Sequence, residues 1–212
     1  MAAGFFVGTM GTVQAGFINF DSHTATTALS GVAPANTIVT DDFLSQGVLF
    51  GLLGTSAGSV VVNNSNTFSL PNGACGLDAA GKIAVNCIGD QYFNFVVPGM
   101  ASMDAVTDSL SFVVGDGGGD TDSWILHIFD IDGLELEARA VTSVANTLQT
   151  FGFSGMHRVH IEWTGPSGGY LLDNITFNEP TKAAEAPEPA TLAIFGLGLV
   201  GLGLMRRRKR AA

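Results

Sequence analysis

Carboxylates are the residues of this chain best placed to do chemistry. Gly115 to Asp122 reads Gly-Asp-Gly-Gly-Gly-Asp-Thr-Asp, which sets Asp116, Asp120 and Asp122 on a glycine-rich stretch able to curl around an ion. Hard cations take several oxygen ligands from carboxylates and backbone carbonyls, so calcium is the cofactor this stretch suggests. It is not an EF-hand loop, because the spaced Asp pattern and the closing Glu at position 12 are missing. The same residues would also serve as a solvated hairpin tip between Val114 and Trp124, and both readings stay open. Asp130 and Asp132 precede Gly133. Alternation would put both on one strand face, but Asp-Gly is a strong turn signal, and a turn is expected.

The histidines are His23, His127, His157 and His160. His157 and His160 are three apart, which on a strand points them to opposite faces and makes them a poor metal pair. Arg158, His160 and Glu162 would share one face, expected to be solvated. There is no Gly-x-Ser-x-Gly elbow and no cysteine with a separate base. A glycosidase needs only two carboxylates at the right separation, and nothing in the sequence marks such a pair. The expectation is a non-enzymatic protein, with a secreted carbohydrate-active enzyme as the alternative. Sugar binding asks for an exposed ring beside polar groups. Trp163 and Tyr170 flank Thr-Gly-Pro-Ser-Gly-Gly and are the candidate glycan contacts, with core packing as the competing role for Trp163.

Such residues have to be carried by strands. From Gly16 onward, short apolar runs are separated by Gly, Asn, Asp and Ser, which is how a sheet-rich domain reads. Candidate strands cover 16–20, 48–53, 60–62, 67–70, 82–85, 92–97, 109–114, 123–130, 135–140, 147–153, 158–163 and 170–177. Residues 109–114 and 158–163 alternate between an apolar and a polar face, as in an antiparallel sheet with one side toward the core. So many short strands predict an all-β domain over 16–177, an antiparallel β-sandwich or jelly roll. The 15 Phe and two Trp of the chain suffice to fill the space between two sheets. Cys75 and Cys87 are the only cysteines. In an exported chain they predict a disulfide across a short local loop.

Charge is unevenly spread. Five of the nine basic residues are Arg206, Arg207, Arg208, Lys209 and Arg210, which leaves Lys82, Arg139, Arg158 and Lys182 against 18 acids between Gly16 and Pro187, a net −14. Such a surface excludes nucleic acid and anionic lipid as partners, since their binding needs Lys and Arg. It suits divalent cations or neutral partners instead.

Both ends read as processing segments. The start, MAAGFFVGTMGTVQA, is apolar with small residues at Val13-Gln14-Ala15, so residues 1–15 are expected to be a signal peptide cut after Ala15. The alternative is a first β-strand. At the other end, Pro187-Glu188-Pro189 is followed by an uncharged run, Ala190 to Met205, and then by the basic cluster. Sixteen residues make about 24 Å of helix at ~1.5 Å each, short against a hydrocarbon core of about 30 Å. This predicts one short transmembrane helix over 190–205, with the basic cluster as its stop and the C-terminus in the cytoplasm. Gly196-Leu-Gly198-Leu-Val-Gly201 spells GxGxxG, but no strand precedes it and no acid follows. The small polar segment 178–186 reads as a linker.

The order of a Pro-Glu-Pro triplet, a short membrane helix and an arginine-rich end resembles the PEP-CTERM sorting signal of Gram-negative bacteria, over about an eighth of the chain. The resemblance implies export through the Sec translocon, removal of the leader by signal peptidase, and recognition by an exosortase-type membrane protease. Cleavage would then fall near Pro187 to Pro189. The body would be released to the cell surface or to the exopolysaccharide matrix, as a structural or exopolysaccharide-associated protein. An uncut single-span anchor is the alternative. More weakly, Gly16-Phe-Ile-Asn-Phe-Asp21, Gly47-Val-Leu-Phe50, Phe129-Asp-Ile-Asp-Gly133 and Gly169-Tyr-Leu-Leu-Asp-Asn-Ile-Thr-Phe177 resemble the extracellular jelly-roll domains often found ahead of such signals. That resemblance implies neighbouring first and last strands, with Asp21 and Asp173 as a second possible calcium site.

Overall fold

The computed structural model describes residues 15–52, 54–166 and 168–183. The expected leader, the Pro-Glu-Pro triplet, the membrane helix and the basic cluster lie outside these residues. Among the described residues, no helix is long and apolar enough to cross a membrane.

Sixteen strands, joined by turns and loops, make up the described residues. In order they are β1 (Gly16–Ile18), β2 (Gly31–Val32), β3 (Ile38–Val39), β4 (Val48–Phe50), β5 (Ser59–Asn63), β6 (Asn72–Gly76), β7 (Lys82–Ile83) and β8 (Gln91–Val97). They continue as β9 (Met100–Val106), β10 (Leu110–Gly115), β11 (Asp122–Phe129), β12 (Glu135–Ser143), β13 (Thr147–Phe151), β14 (Arg158–Trp163), β15 (Leu171–Phe177) and β16 (Thr181–Lys182). One seven-stranded sheet runs β13-β10-β15-β6-β5-β3, with β1 also paired to β15. The other runs β12-β11-β14-β8-β9-β16, with β4 also paired to β8. β2 and β7 form a small separate ribbon. The ladders of the two sheets are antiparallel throughout, so the expected antiparallel sandwich is the observed fold.

Period-two alternation is why these segments are strands and why the sheets stack. Along β11 the residues Asp122, Trp124, Leu126 and Ile128 are buried, while Ser123, Ile125, His127 and Phe129 are only partly so. The inward sets of both sheets meet in one core containing Phe20, Phe93, Phe95, Phe112, Trp124 and Phe177, all of them at most 1 % exposed. Phe93 of β8 meets Phe112 of β10 edge to face, 6.1 Å between ring centres, an arrangement aromatic quadrupoles favour.

One expected strand is absent, and strands appear where none was expected. Residues 67–70 form a loop, because serine, threonine and asparagine side chains bind the backbone there. Asn64 Oδ1 accepts the Asn66 N–H, Thr67 Oγ1 donates to the Asn64 carbonyl, and Asp173 accepts both the Ser69 N–H and its hydroxyl. Such local bonds compete with ladder pairing. β6 is a fully buried strand of Asn, Gly, Ala and Cys, whose small side chains carry no period-two signal. β9 is largely exposed and has no apolar stripe to betray it. Thr181 and Lys182, within the expected linker, pair with Val106 and Ala105 of β9.

Candidate functional site

The connection from β10 to β11 crosses from one sheet to the other, so the acidic loop is not the hairpin tip its sequence allowed. Asp116, Asp120 and Asp122 do converge there, each offering a carboxylate oxygen within 4.8 Å of the others. Asp122 opens β11 on its inward face and is 1 % exposed. Burial, followed by the charge of Asp116, pushes its carboxyl up to about 7. The N–H of Gly169 donates to Asp122 Oδ1 at 3.3 Å. Gly168, with φ +99°, passes over Asp120 and Asp122 so closely that a side chain there would collide with both. Only glycine holds that backbone conformation without strain. This arrangement can hold a hard cation.

Asp21, in the turn after β1, lies close enough to Asp173 of β15 that its charge helps raise the Asp173 carboxyl, after burial as the main cause. Their oxygens are occupied by protein donors. Asp173 accepts from Ser69 and Asn174, and Asp21 from Asn19 and, at 3.4 Å, from Asn72.

The outer face of the second sheet carries an arrangement that spacing did not reveal. Register places His127 of β11 opposite His160 of β14, and His160 opposite Tyr92 of β8. Their rings stack across the strands, 4.2 Å for Tyr92 with His160 and 5.1 Å for His160 with His127. His127 Nδ1 meets Glu135 and Nε2 lies 3.0 Å from Glu162. Carboxylates accept only, so with Glu135 and Glu162 ionised both ring nitrogens are donors, which is the imidazolium form. His160 Nε2 pairs with Asp90 at 3.2 Å, and the other Asp90 oxygen accepts the Trp163 N–H. Arg158, His160 and Glu162 do share a face, as expected, but His160 and Glu162 belong to this network and Arg158 donates to Asn94.

Burial of the ring disfavours the His127 charge, yet Glu135 and Glu162 outweigh it and raise the pKa above the ordinary 6.5. A group whose folded pKa is raised stabilises the fold fully below its unfolded value, and that contribution is lost as pH rises through the folded one. The wild type should therefore lose more thermal stability from about pH 6 to pH 8.5 than His127→Gln does, measured by melts of both across that range. Parallel curves would exclude a charged His127.

Of the expected glycan contacts, Tyr170 is corrected. Tyr170 is fully buried, its hydroxyl donating to the carbonyls of Gly89 at 2.8 Å and Ile161 at 3.1 Å. Trp163 stacks on it at 5.9 Å, and the Gly165 backbone covers the indole. Tyr170 therefore serves packing, because a ring between two sheets gains more from burial than an exposed platform would, while Trp163 is only partly buried and packs against the core. Asp130 heads a turn as expected, its Oδ1 accepting the N–H groups of Asp132 and Leu134. His157 is buried and bonds the Ala105 carbonyl.

Residues 185–209 match the PEP-CTERM protein-sorting motif. The motif implies recognition by an exosortase and marks an exported protein that is anchored and then processed at the surface. No curated protein matches the chain. Among solved structures, it is similar to the CBM22-1 xylan-binding domain of Paenibacillus barcinonensis Xyn10C, with TM-score 0.36 and 13% identity over 77% of this chain and 99% of that one. It is similar to the isomalto-dextranase of Arthrobacter globiformis T6, with TM-score 0.36 and 12% identity over 78% of this chain and 32% of that one. A third is the family 11 carbohydrate-binding module of the Clostridium thermocellum cellulase Lic26A-Cel5E, with TM-score 0.28 and 16% identity over 66% and 89%. Similarity at this level bears on neither ligand nor chemistry.

Proposed function

We propose that the chain is a non-enzymatic matrix protein, cut by an exosortase near Pro187 to Pro189 and delivered as a free sandwich domain that associates with extracellular polysaccharide. The observation that carries this reading is the sorting motif at residues 185–209. It is supported by the net −14 of the body, which suits a neutral hydrated polymer better than an anionic one. The test is the intact mass of the exported protein, with and without a functional exosortase. Loss of Arg206 to Arg210 only when the enzyme works is expected, and their retention in both would overturn processing. Turnover of any polysaccharide that is abolished by a single Asp or Glu substitution would overturn the non-enzymatic reading.

We assign calcium to Asp116, Asp120 and Asp122, supported by their convergence and by the crowding that raises Asp122. Because the folded carboxyl holds its proton more tightly than the unfolded one, the metal-free domain loses this contribution to stability as pH rises from about 4 to 7. Bound calcium displaces that proton, so its benefit grows in the same direction. At a calcium concentration of about 100 times Kd the gain is ~2.7 kcal/mol. Thermal melts should show a rise of several degrees at pH 8, reversed by chelator, and a smaller one at pH 5. An unchanged melting temperature at pH 8 would remove calcium from the account.

A further inference from the structure

We propose that the opening beside the acidic loop, at one end of the sandwich, is a binding pocket for a single pyranose unit that carries no acidic group. The inference rests on the polysaccharide-associated reading above and names the place and the class of sugar. The cavity measures about 230 Å3 and is bordered by Asn64, Asn66, Asn86, Asp116, Asp120 and the backbone of Gly168. At ~30 Å3 per water it holds about eight waters, the bulk of one sugar ring and not of a chain.

Its lining is polar in a particular way. Three carboxamides and two carboxylates come from three separate segments, and the side chains of Asn66 and Asn86, both solvent-exposed and without a protein partner among the described contacts, are free to turn to a ligand. A carboxamide offers two donors and an acceptor, and a carboxylate offers acceptors only. Together they match adjacent hydroxyls, each of which donates one bond and accepts others. Leu29 and Leu171 give the same cavity an apolar side for the C–H face of a ring. In the calcium-free domain a phosphate, sulfate or uronate would meet Asp116 and Asp120 with no Lys or Arg on the wall, so an acidic ligand is disfavoured there.

The walls are fixed before any ligand arrives. Cys87 lines the cavity and is bonded to Cys75 on the buried strand β6. Asn86 and Cys87 both have left-handed backbone, with φ of 57° and 59°. Gly169 lies against the Asn86 carbonyl, where any side chain would overlap it. Preformed walls reduce the ordering cost of binding.

The test uses the exported protein, freed of calcium by chelator, and cell-bound polysaccharide extracted from the producing culture, with retention measured by affinity electrophoresis. Free glucose, glucosamine and glucuronate serve as competitors. Asn66→Ala removes one amide. Asn86→Asp keeps a residue that tolerates left-handed backbone while deleting the donors. Thermal melts confirm that both variants fold. The expected result is that glucose or glucosamine competes and glucuronate does not, with each variant binding about tenfold more weakly, the loss of roughly one net hydrogen bond. Undiminished binding by both folded variants would overturn the pocket and leave the association intact, as would equal competition by glucuronate. No retention of the wild type would overturn the association and the pocket together.

Discussion

Replacing Phe93 by alanine lowers the unfolding free energy of the domain by about 3–5 kcal/mol, the range for emptying a large aromatic site in a packed core. Phe93 is wholly buried, and its ring touches Phe50 at 5.8 Å, Phe95 at 6.0 Å and Phe112 at 6.1 Å between centres. Those partners sit on β4, β8 and β10, so the ring joins both sheets, and neither sheet can collapse onto the gap without moving the other. A domain of this size loses about 2–4 °C for each kcal/mol, which places the melting temperature roughly 6–20 °C lower. Leu148→Ala is the control. Leu148 is 66 % exposed on β13, and surface truncations of this kind stay within about 0.5 kcal/mol. Similar losses from the two variants would mean that Phe93 is not a core residue.

Removing the disulfide with Cys75→Ala and Cys87→Ala together costs about 3 kcal/mol in the chain-entropy model, or roughly 6–12 °C. The bridge spans 12 residues between β6 and the turn after β7, the local staple expected from the sequence. Its loop is otherwise held by Asp78, whose Oδ1 accepts the N–H groups of Ala80 and Lys82 at 2.9 Å. That turn persists without the bridge, so the variant should fold and melt early instead of failing outright. Reductant should move the wild type by the same amount and leave the double variant where it is. A wild-type melting temperature insensitive to reductant would show that the thiols are not joined in solution.

The legible and the hidden parts of this molecule divide along a physical line. Alternation in 109–114 and 158–163 announced strands because one face of each is buried, and the Pro-Glu-Pro, apolar, basic order announced the sorting signal because those parts lie next to one another in sequence. The Tyr92, His160, His127 row depends on register between three strands far apart in the chain, which local spacing does not encode. The same holds for the three asparagines of the cavity. Tyr170 misled because a large ring near a glycine-rich loop looks the same in sequence whether it faces solvent or the core. Asp116, Asp120 and Asp122 stood out in the local sequence, and the burial of Asp122 came only with the crossing from β10 to β11.

The position of β15 has a kinetic consequence. This strand pairs with β1 and β6 along one edge and with β10 along the other, yet it is the last long strand to be made. A chain crossing the membrane from its N-terminus must wait with β1, β5, β6 and β10 already delivered and their apolar faces uncovered. Contacts that span nearly the whole domain form slowly, because a long loop must close before they repay its entropy. The first sheet is therefore completed only as Phe177 emerges, eight residues before the sorting motif begins at 185. Folding of this sheet can thus finish no earlier than the emergence of Phe177, and until then the unfinished sheet is the form most exposed to aggregation and to extracellular proteases.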